Sequence, residues 1–226
     1  MYNPTIKPMS DVTLSIIIPV KNEAETLPLA LVAIDNQLDA LGIPAEVIVV
    51  SSGSTDNTAE IVKKMSIAMR NLKLVVNEED QGVGASLKQG MLLSRGQFRL
   101  AVNSKNLIPI NQFKNLLPHL ESGAGIVVGC RTRPAQEGEN YLSKTLSAYK
   151  ELPGTLANFA LKSMVFKELK DPTSTFVAFR AETAEKIFNL TKYHRLKNLL
   201  EPLYIAKKSG FSIKESDVIT HNVSVV

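Results

Sequence analysis

The sequence predicts an α/β sandwich, a mostly parallel central sheet flanked by helices. Short apolar runs rich in Val and Ile alternate with longer amphipathic stretches, the pattern of strand–helix–strand units. The first run, Leu14 to Val20, is apolar on both alternating sets of positions, broken only by Ser15, as expected of a strand buried on both faces. With 226 residues, 44% of them hydrophobic, the chain is long enough to bury one sizeable core.

The elements follow in order. Leu14 to Val20 is the first strand, and a helix from about Ala24 to Leu41 stops at Gly42 and Pro44. Glu46 to Val50 is the second strand. Beyond it, Ser51-Ser52-Gly53-Ser54 forms a polar turn, and Ser54 or Asp56 caps a helix running through Ile61, Val62 and Met65. Leu72 to Val76 is the third strand. Gly82 and Gly84 make a tight turn into a helix through Leu92 and Leu93, and Gln97 to Val102 is the fourth strand. A helix begins at Pro109 and ends near Gly123, and Gly125 to Cys130 is the fifth strand. Arg131 to Asn140 reads as a mobile polar loop. After Tyr141 come a long helical stretch interrupted at Pro153-Gly154, a strand around Ser174 to Phe179, helices near 181–189 and 196–208, and a strand at Phe211 to Lys214. This second part finishes the sheet, so residues 1–226 are expected to form one domain.

Composition excludes several classes of function. No apolar run approaches the ~20 residues that cross a bilayer, and the N-terminal segment lacks the features of a signal peptide. A lone Cys130 cannot form a disulfide within the chain, so a cytoplasmic location is expected. The net charge is only +4, with no basic run and no interleaved aromatics, which argues against nucleic acid as a partner. His119, His194 and His221 show no zinc-ligand spacing, and no nucleophile elbow surrounds Ser51, Ser52 or Ser54.

In an open parallel sheet, ligands bind beyond the carboxyl ends of the strands. The informative positions are therefore Lys21-Asn22-Glu23, Ser51 to Thr55, Asn103 to Asn106, and Arg131 with Arg133. All four segments are expected to face one crevice.

Ser15-Ile16-Ile17-Ile18-Pro19-Val20-Lys21-Asn22-Glu23 and Glu46-Val47-Ile48-Val49-Val50-Ser51-Ser52-Gly53-Ser54-Thr55-Asp56 resemble the opening of family 2 glycosyltransferases of the GT-A fold. Gly82 to Gly90, Ser94 to Phe98, Val127 to Arg131 and Asp171 to Phe176 resemble the branch of dolichyl- or polyprenyl-phosphate mannose and glucose synthases. The resemblance spans roughly Leu14 to Lys214. It implies that residues 14–130 form a nucleotide-sugar-binding half and 131–217 an acceptor-side half, with 1–12 and 218–226 as tails. A UDP- or GDP-hexose is the implied donor and a lipid phosphate the implied acceptor, with inverting hexosyl transfer and at most peripheral membrane contact.

Two family signatures are altered. Ser51-Ser52 stands where the family has an acid pair, and Asn103-Ser104-Lys105 stands where it has Asp-x-Asp, the metal-binding element. Lys21 also occupies a place usually held by an aromatic. Mg²⁺ and Mn²⁺ take anionic oxygen ligands, so no divalent metal cofactor is expected here. Two readings stay open: a transferase in which Lys21, Lys88, Lys105, Arg131 and Arg133 hold the diphosphate, or a scaffold that binds without catalysis. The substrate-binding candidates are Pro19, Lys21, Glu23, Ser51, Ser52, Gly53, Lys88, Asn103, Ser104, Lys105 and Arg133. The catalytic candidates are Asp171 and Arg131.

Overall fold

The computed structural model describes residues 11–105, 108–132, 169–171, 174–192 and 199–219. Of the loop expected at 131–140, Arg131 and Thr132 instead end a strand that pairs as far as Thr132 opposite Ile219, and residues 133–140 and the helical stretch after Tyr141 lie outside the described residues. Among the described residues seven strands form a single sheet: β1 (Leu14–Val20), β2 (Ala45–Ser52), β3 (Leu72–Asn77), β4 (Phe98–Ala101), β5 (Ile126–Thr132), β6 (Val177–Arg180) and β7 (Ile213–Ile219). Among the described residues six α-helices accompany them: α1 (Leu27–Leu41), α2 (Thr58–Ala68), α3 (Val83–Leu93), α4 (Phe113–Glu121), α5 (Ala181–Leu190) and α6 (Leu200–Lys208).

The strand order is β3-β2-β1-β4-β6-β5-β7. Only β6 runs against its neighbours, β4 and β5, so the sheet is mostly parallel, as the alternating pattern requires. The antiparallel insertion of β6 is not visible in the apolar pattern. It places a late segment of the chain between β4 and β5, so the early and late parts interleave within one sheet.

The apolar run of β1 is used on both faces. Leu14, Ile16, Ile18 and Val20 join a core with Leu27, Leu31, Ile34 and Leu38 of α1, Val62 of α2 and Phe113, Leu116 and Leu120 of α4. Ile17 points the other way, into a core with Leu87 and Met91 of α3, Ala184, Ile187 and Phe188 of α5, and Leu203 and Ala206 of α6. Alternate residues of a strand face opposite sides, so a central strand covered by helices on both is apolar on both faces, and the one polar side chain of β1, the buried Ser15, is hydrogen-bonded.

Boundaries moved where side chains capture backbone groups. α1 begins at Leu27 rather than Ala24, because the amides of Glu23 and Ala24 are bound by Thr58 Oγ1 at 2.8 Å and Asp56 Oδ2 at 3.1 Å. It ends at Gly42, whose φ of 64° is left-handed, as the sequence predicts. β7 continues to Ile219 instead of stopping at Lys214. Its pairing with β5 runs from Ile126 opposite Ile213 to Thr132 opposite Ile219, two residues into the segment read as a tail.

At the amino ends of the strands a buried polar cluster fastens the sheet. Glu46 Oε1 accepts the Ser15 hydroxyl at 2.7 Å and the Arg95 amide at 2.7 Å, while Oε2 accepts Lys73 Nζ at 2.6 Å. The Gly96 amide donates to Ser15 Oγ at 2.8 Å, which ties the turn before β4 to β1. This end lies opposite the crevice and leaves the carboxyl ends for ligands.

Candidate functional site

The carboxyl ends of β1, β2 and β4 bring three predicted segments together. After β1, Asn22 adopts a φ of 51°, a conformation asparagine tolerates better than most residues. Its Oδ1 accepts the Thr55 amide at 2.8 Å and its own amide donates to Ser54 Oγ at 3.2 Å, clamping the loop after β1 to the loop after β2. Ser54 Oγ also lies 2.9 Å from Ser51 Oγ. Pro19, the penultimate residue of β1, lies opposite Val50.

Ser52 is structural in its contacts. Its hydroxyl donates to the Glu79 carbonyl at 3.1 Å and accepts the Gln81 amide at 3.0 Å, fixing the loop after β3. Gly53, at a φ of 59°, lies under that loop. Asp80 in the same loop accepts Lys21 Nζ at 2.7 Å, so the ends of β1 and β3 are bridged above the end of β2.

Glu23 is the buried carboxylate of the crevice, 8% exposed. One oxygen accepts the Ser104 hydroxyl, and Oε1 lies 3.8 Å from Lys105 Nζ. The loops after β1 and β4 therefore meet at this side chain. Asn103 Oδ1 accepts the Lys105 amide at 2.9 Å and so closes its own turn. The Asp56 carboxyl is held below the usual carboxylate range, chiefly by the Thr58 hydroxyl and further by the Ala24 and Thr58 amides.

A divalent cation, which the GT-A fold leads one to expect, does not fit the donor set after β4. The carbonyl oxygen of Asn103 is engaged by Lys105, and an ammonium stands 3.8 Å from the nearest carboxylate oxygen. Such an ion requires several oxygen ligands, preferably anionic, and is repelled by a neighbouring cation.

The basic candidates each have a different partner. Lys21 meets Asp80, Lys105 meets Glu23, and Lys88 Nζ donates to the Thr191 carbonyl at 3.0 Å, joining α3 to the end of α5. Arg131 meets Asp171 through three bonds, Nε to Oδ2 at 2.6 Å, Nη2 to Oδ1 at 2.8 Å and its amide to Oδ2 at 3.3 Å. Arg133 lies outside the described residues.

The Arg131–Asp171 pair lies at the end of β5. Asp171 is 6% exposed, and its amide donates to Glu215 Oε1 of β7 at 3.1 Å. Cys130 beside it is buried. Its thiol is pushed up by that burial and by the negative charges of Glu215, Asp171 and Asp217. It is therefore a poor nucleophile.

Sequence reasoning named Glu23, Ser104 and Lys105 and placed Asn22 in the crevice without giving it a role, but missed Asp80. An Asn directly after a strand was the available signal for the role of Asn22, because it favours left-handed turns. Nothing in the spacing marked Asp80, which reaches Lys21 across a gap of 59 residues.

Fold and crevice together define an open-sheet α/β protein with a polar crevice built from the loops at the carboxyl ends of its strands. The chain belongs to glycosyl transferase family 2, whose family model matches residues 15–188. It is 28% identical over 225 residues to a dolichyl-phosphate beta-glucosyltransferase of Dictyostelium discoideum, an alignment covering 92% of this chain and 66% of that protein. It is 26% identical over 175 residues to a dolichol-phosphate mannosyltransferase of Pyrococcus furiosus, covering 76% of this chain and 47% of that protein. The chain thus spans at most about two thirds of the length of these curated relatives. The fold is also that of glucosyl-3-phosphoglycerate synthase from Mycobacterium tuberculosis, solved with Mn²⁺, UDP and phosphoglyceric acid. The TM-score is 0.63 at 21% identity, over 92% of this chain and 69% of that one. This is the GT-A arrangement. No helix among the described residues is long and apolar enough to cross a membrane.

Proposed function

We propose that this chain transfers a hexose from a nucleoside-diphosphate sugar to a lipid phosphate, with inversion at the anomeric carbon. The observation that carries the reading is the convergence of Asn22, Glu23, Ser51, Ser54, Ser104 and Lys105 at the carboxyl ends of β1, β2 and β4 in a family 2 chain. The names of the dolichyl-phosphate glucosyltransferase and dolichol-phosphate mannosyltransferase relatives support the acceptor class. UDP-glucose and GDP-mannose are accordingly the first donors to test.

The chemistry is a direct displacement. An oxygen of the acceptor phosphate forms a bond to the anomeric carbon as the bond from that carbon to the diphosphate oxygen breaks, and nucleoside diphosphate leaves with the electron pair. The nucleophile is already ionised at neutral pH, so no strong general base is needed. The protein's task is to orient the two substrates and to stabilise charge on the departing diphosphate. Glu23, held by Ser104 and by the Thr58 hydroxyl at its amide, sets the floor on which the donor rests. Arg131 and Asp171 stand at the end of β5, on the acceptor side. In this reading the reaction runs on the cytosolic side, at the surface of a membrane that supplies the lipid phosphate.

The test is transfer of labelled sugar from UDP-glucose and GDP-mannose to dolichyl phosphate in detergent micelles, read as radioactivity entering the organic phase. A labelled lipid product from one of the donors is expected. Binding of nucleotide without sugar transfer to any lipid phosphate would contradict the reading and leave a binding protein.

A further inference from the structure

We infer that the donor site neutralises a bound diphosphate with the Lys105 ammonium, seated on Glu23, and works without a divalent cation; the inference rests on the donor reading above. Three features of the crevice carry it. Glu23 is buried, its amide donates to Thr58 Oγ1 at 2.8 Å and its carboxylate accepts the Ser104 hydroxyl, so turning the carboxylate to a metal would break that bond. Lys105 has 61% of its side chain exposed and stands 3.8 Å from Glu23 Oε1, an ion pair without a hydrogen bond, so its ammonium can turn to an arriving anion at little cost. Asn103 spends its carbonyl oxygen on the Lys105 amide, which holds the turn that presents the lysine.

Two other carboxylates near these strand ends, Asp56 and Asp80, are engaged as well. Asp56 accepts the Ala24 and Thr58 amides at 3.1 and 3.0 Å, and Asp80 accepts Lys21 at 2.7 Å and the Gly82 amide at 2.9 Å. At the end of β2 stand hydroxyls, Ser51 against Ser54 and Ser52 against the loop after β3, where a second acid would be needed to balance a cation. A lysine suits the alternative, because its ammonium is a compact charge with three donors that can follow a phosphate as the leaving charge grows.

The experiment is calorimetric titration of the full chain with UDP and with GDP, each in chelator and in Mn²⁺, for the parent, Lys105→Ala, Lys105→Arg and the double variant Asn103→Asp, Lys105→Asp. The parent should bind one nucleotide equally well in chelator and in Mn²⁺. Lys105→Ala should weaken that binding about ten- to a hundred-fold, the worth of one charge-assisted hydrogen bond, and Lys105→Arg should keep most of it. The double variant should bind poorly in chelator and recover with Mn²⁺. Parent binding that appears only with Mn²⁺, or Lys105→Ala binding as tightly as the parent, would overturn the inference while leaving the donor reading intact. Failure of the parent to bind either nucleotide in either condition would contradict the donor reading, and the inference with it. Lys105 is exposed, so loss of folding does not confound its variants, and thermal unfolding of each checks this.

Discussion

Gly53 lies directly beneath Asp80. A Cβ on Gly53 would come 2.7 Å from the Asp80 amide nitrogen and 2.8 Å from its Cα, both backbone atoms that cannot step aside. The turn after β2 and the loop after β3 are pressed together there, with Ser52 bonding the same loop from below and Lys21 from the side. The mouth of the crevice is a rigid junction of three loops, and its tightness depends on one residue without a side chain.

Gly53→Ala is therefore expected to destabilise the protein by about 1–3 kcal/mol, from a left-handed φ of 59° and the collision with Asp80. Denaturant unfolding should show a lower midpoint at unchanged slope. An unchanged midpoint would mean that the loop after β3 moves away freely.

The Arg131–Asp171 pair fixes the end of β5 to the segment before β6. Asp171→Ala removes the partner of a mostly buried guanidinium and is expected to cost about 3 kcal/mol. Chemical denaturation would read it. A loss well below 1 kcal/mol would show that water replaces the carboxylate without penalty.

Much of this fold was legible, and what was not has definite causes. The run Leu14 to Val20 announced a strand buried on two faces, and Gly42 announced the end of α1, because these are local properties of the chain. The antiparallel placement of β6 was hidden, since strand direction and order depend on contacts between distant segments. At the site, Glu23, Ser104 and Lys105 were singled out from strand ends and family motifs. That Lys21 would be taken by Asp80, and Lys88 by Thr191, was not legible, because a lysine carries no local mark of the partner it will find.

Acid stability should depend on Glu46. Burial raises its pKa, but the Lys73 ammonium, the Arg95 amide and the Ser15 hydroxyl together outweigh burial and hold the carboxyl below its ordinary value. A group with a depressed folded-state pKa stabilises the protein above its unfolded pKa, about 4.3 for Glu, and loses that contribution as pH falls toward the folded value. Glu46→Gln should therefore be less stable at neutral pH and show a flatter loss of stability below about pH 4.3. Parallel acid limbs for parent and variant would contradict this.

Helix α3 meets the sheet at Gly90, where a Cβ would come 2.4 Å from Ile17 Cγ2 and 3.2 Å from Val50 Cγ2. Alanine favours the helix by about 1 kcal/mol, but overpacking a core costs about 1–3 kcal/mol. Gly90→Ala should lower the melting temperature despite its better helix propensity. A rise would show that Ile17 has room to rotate.

The central claim is that a nucleoside diphosphate binds at the carboxyl ends of β1, β2 and β4, with the Lys105 ammonium where a metal would otherwise neutralise it. A crystal structure of the protein with UDP or GDP, grown in chelator, tests this most directly. The account predicts a diphosphate within hydrogen-bond reach of Lys105 Nζ, about 2.7–2.9 Å, with the nucleoside over the clamp made by Asn22, Ser51 and Ser54. A nucleotide bound elsewhere, or one whose diphosphate leaves Lys105 on Glu23 and lies beyond its reach, would contradict it.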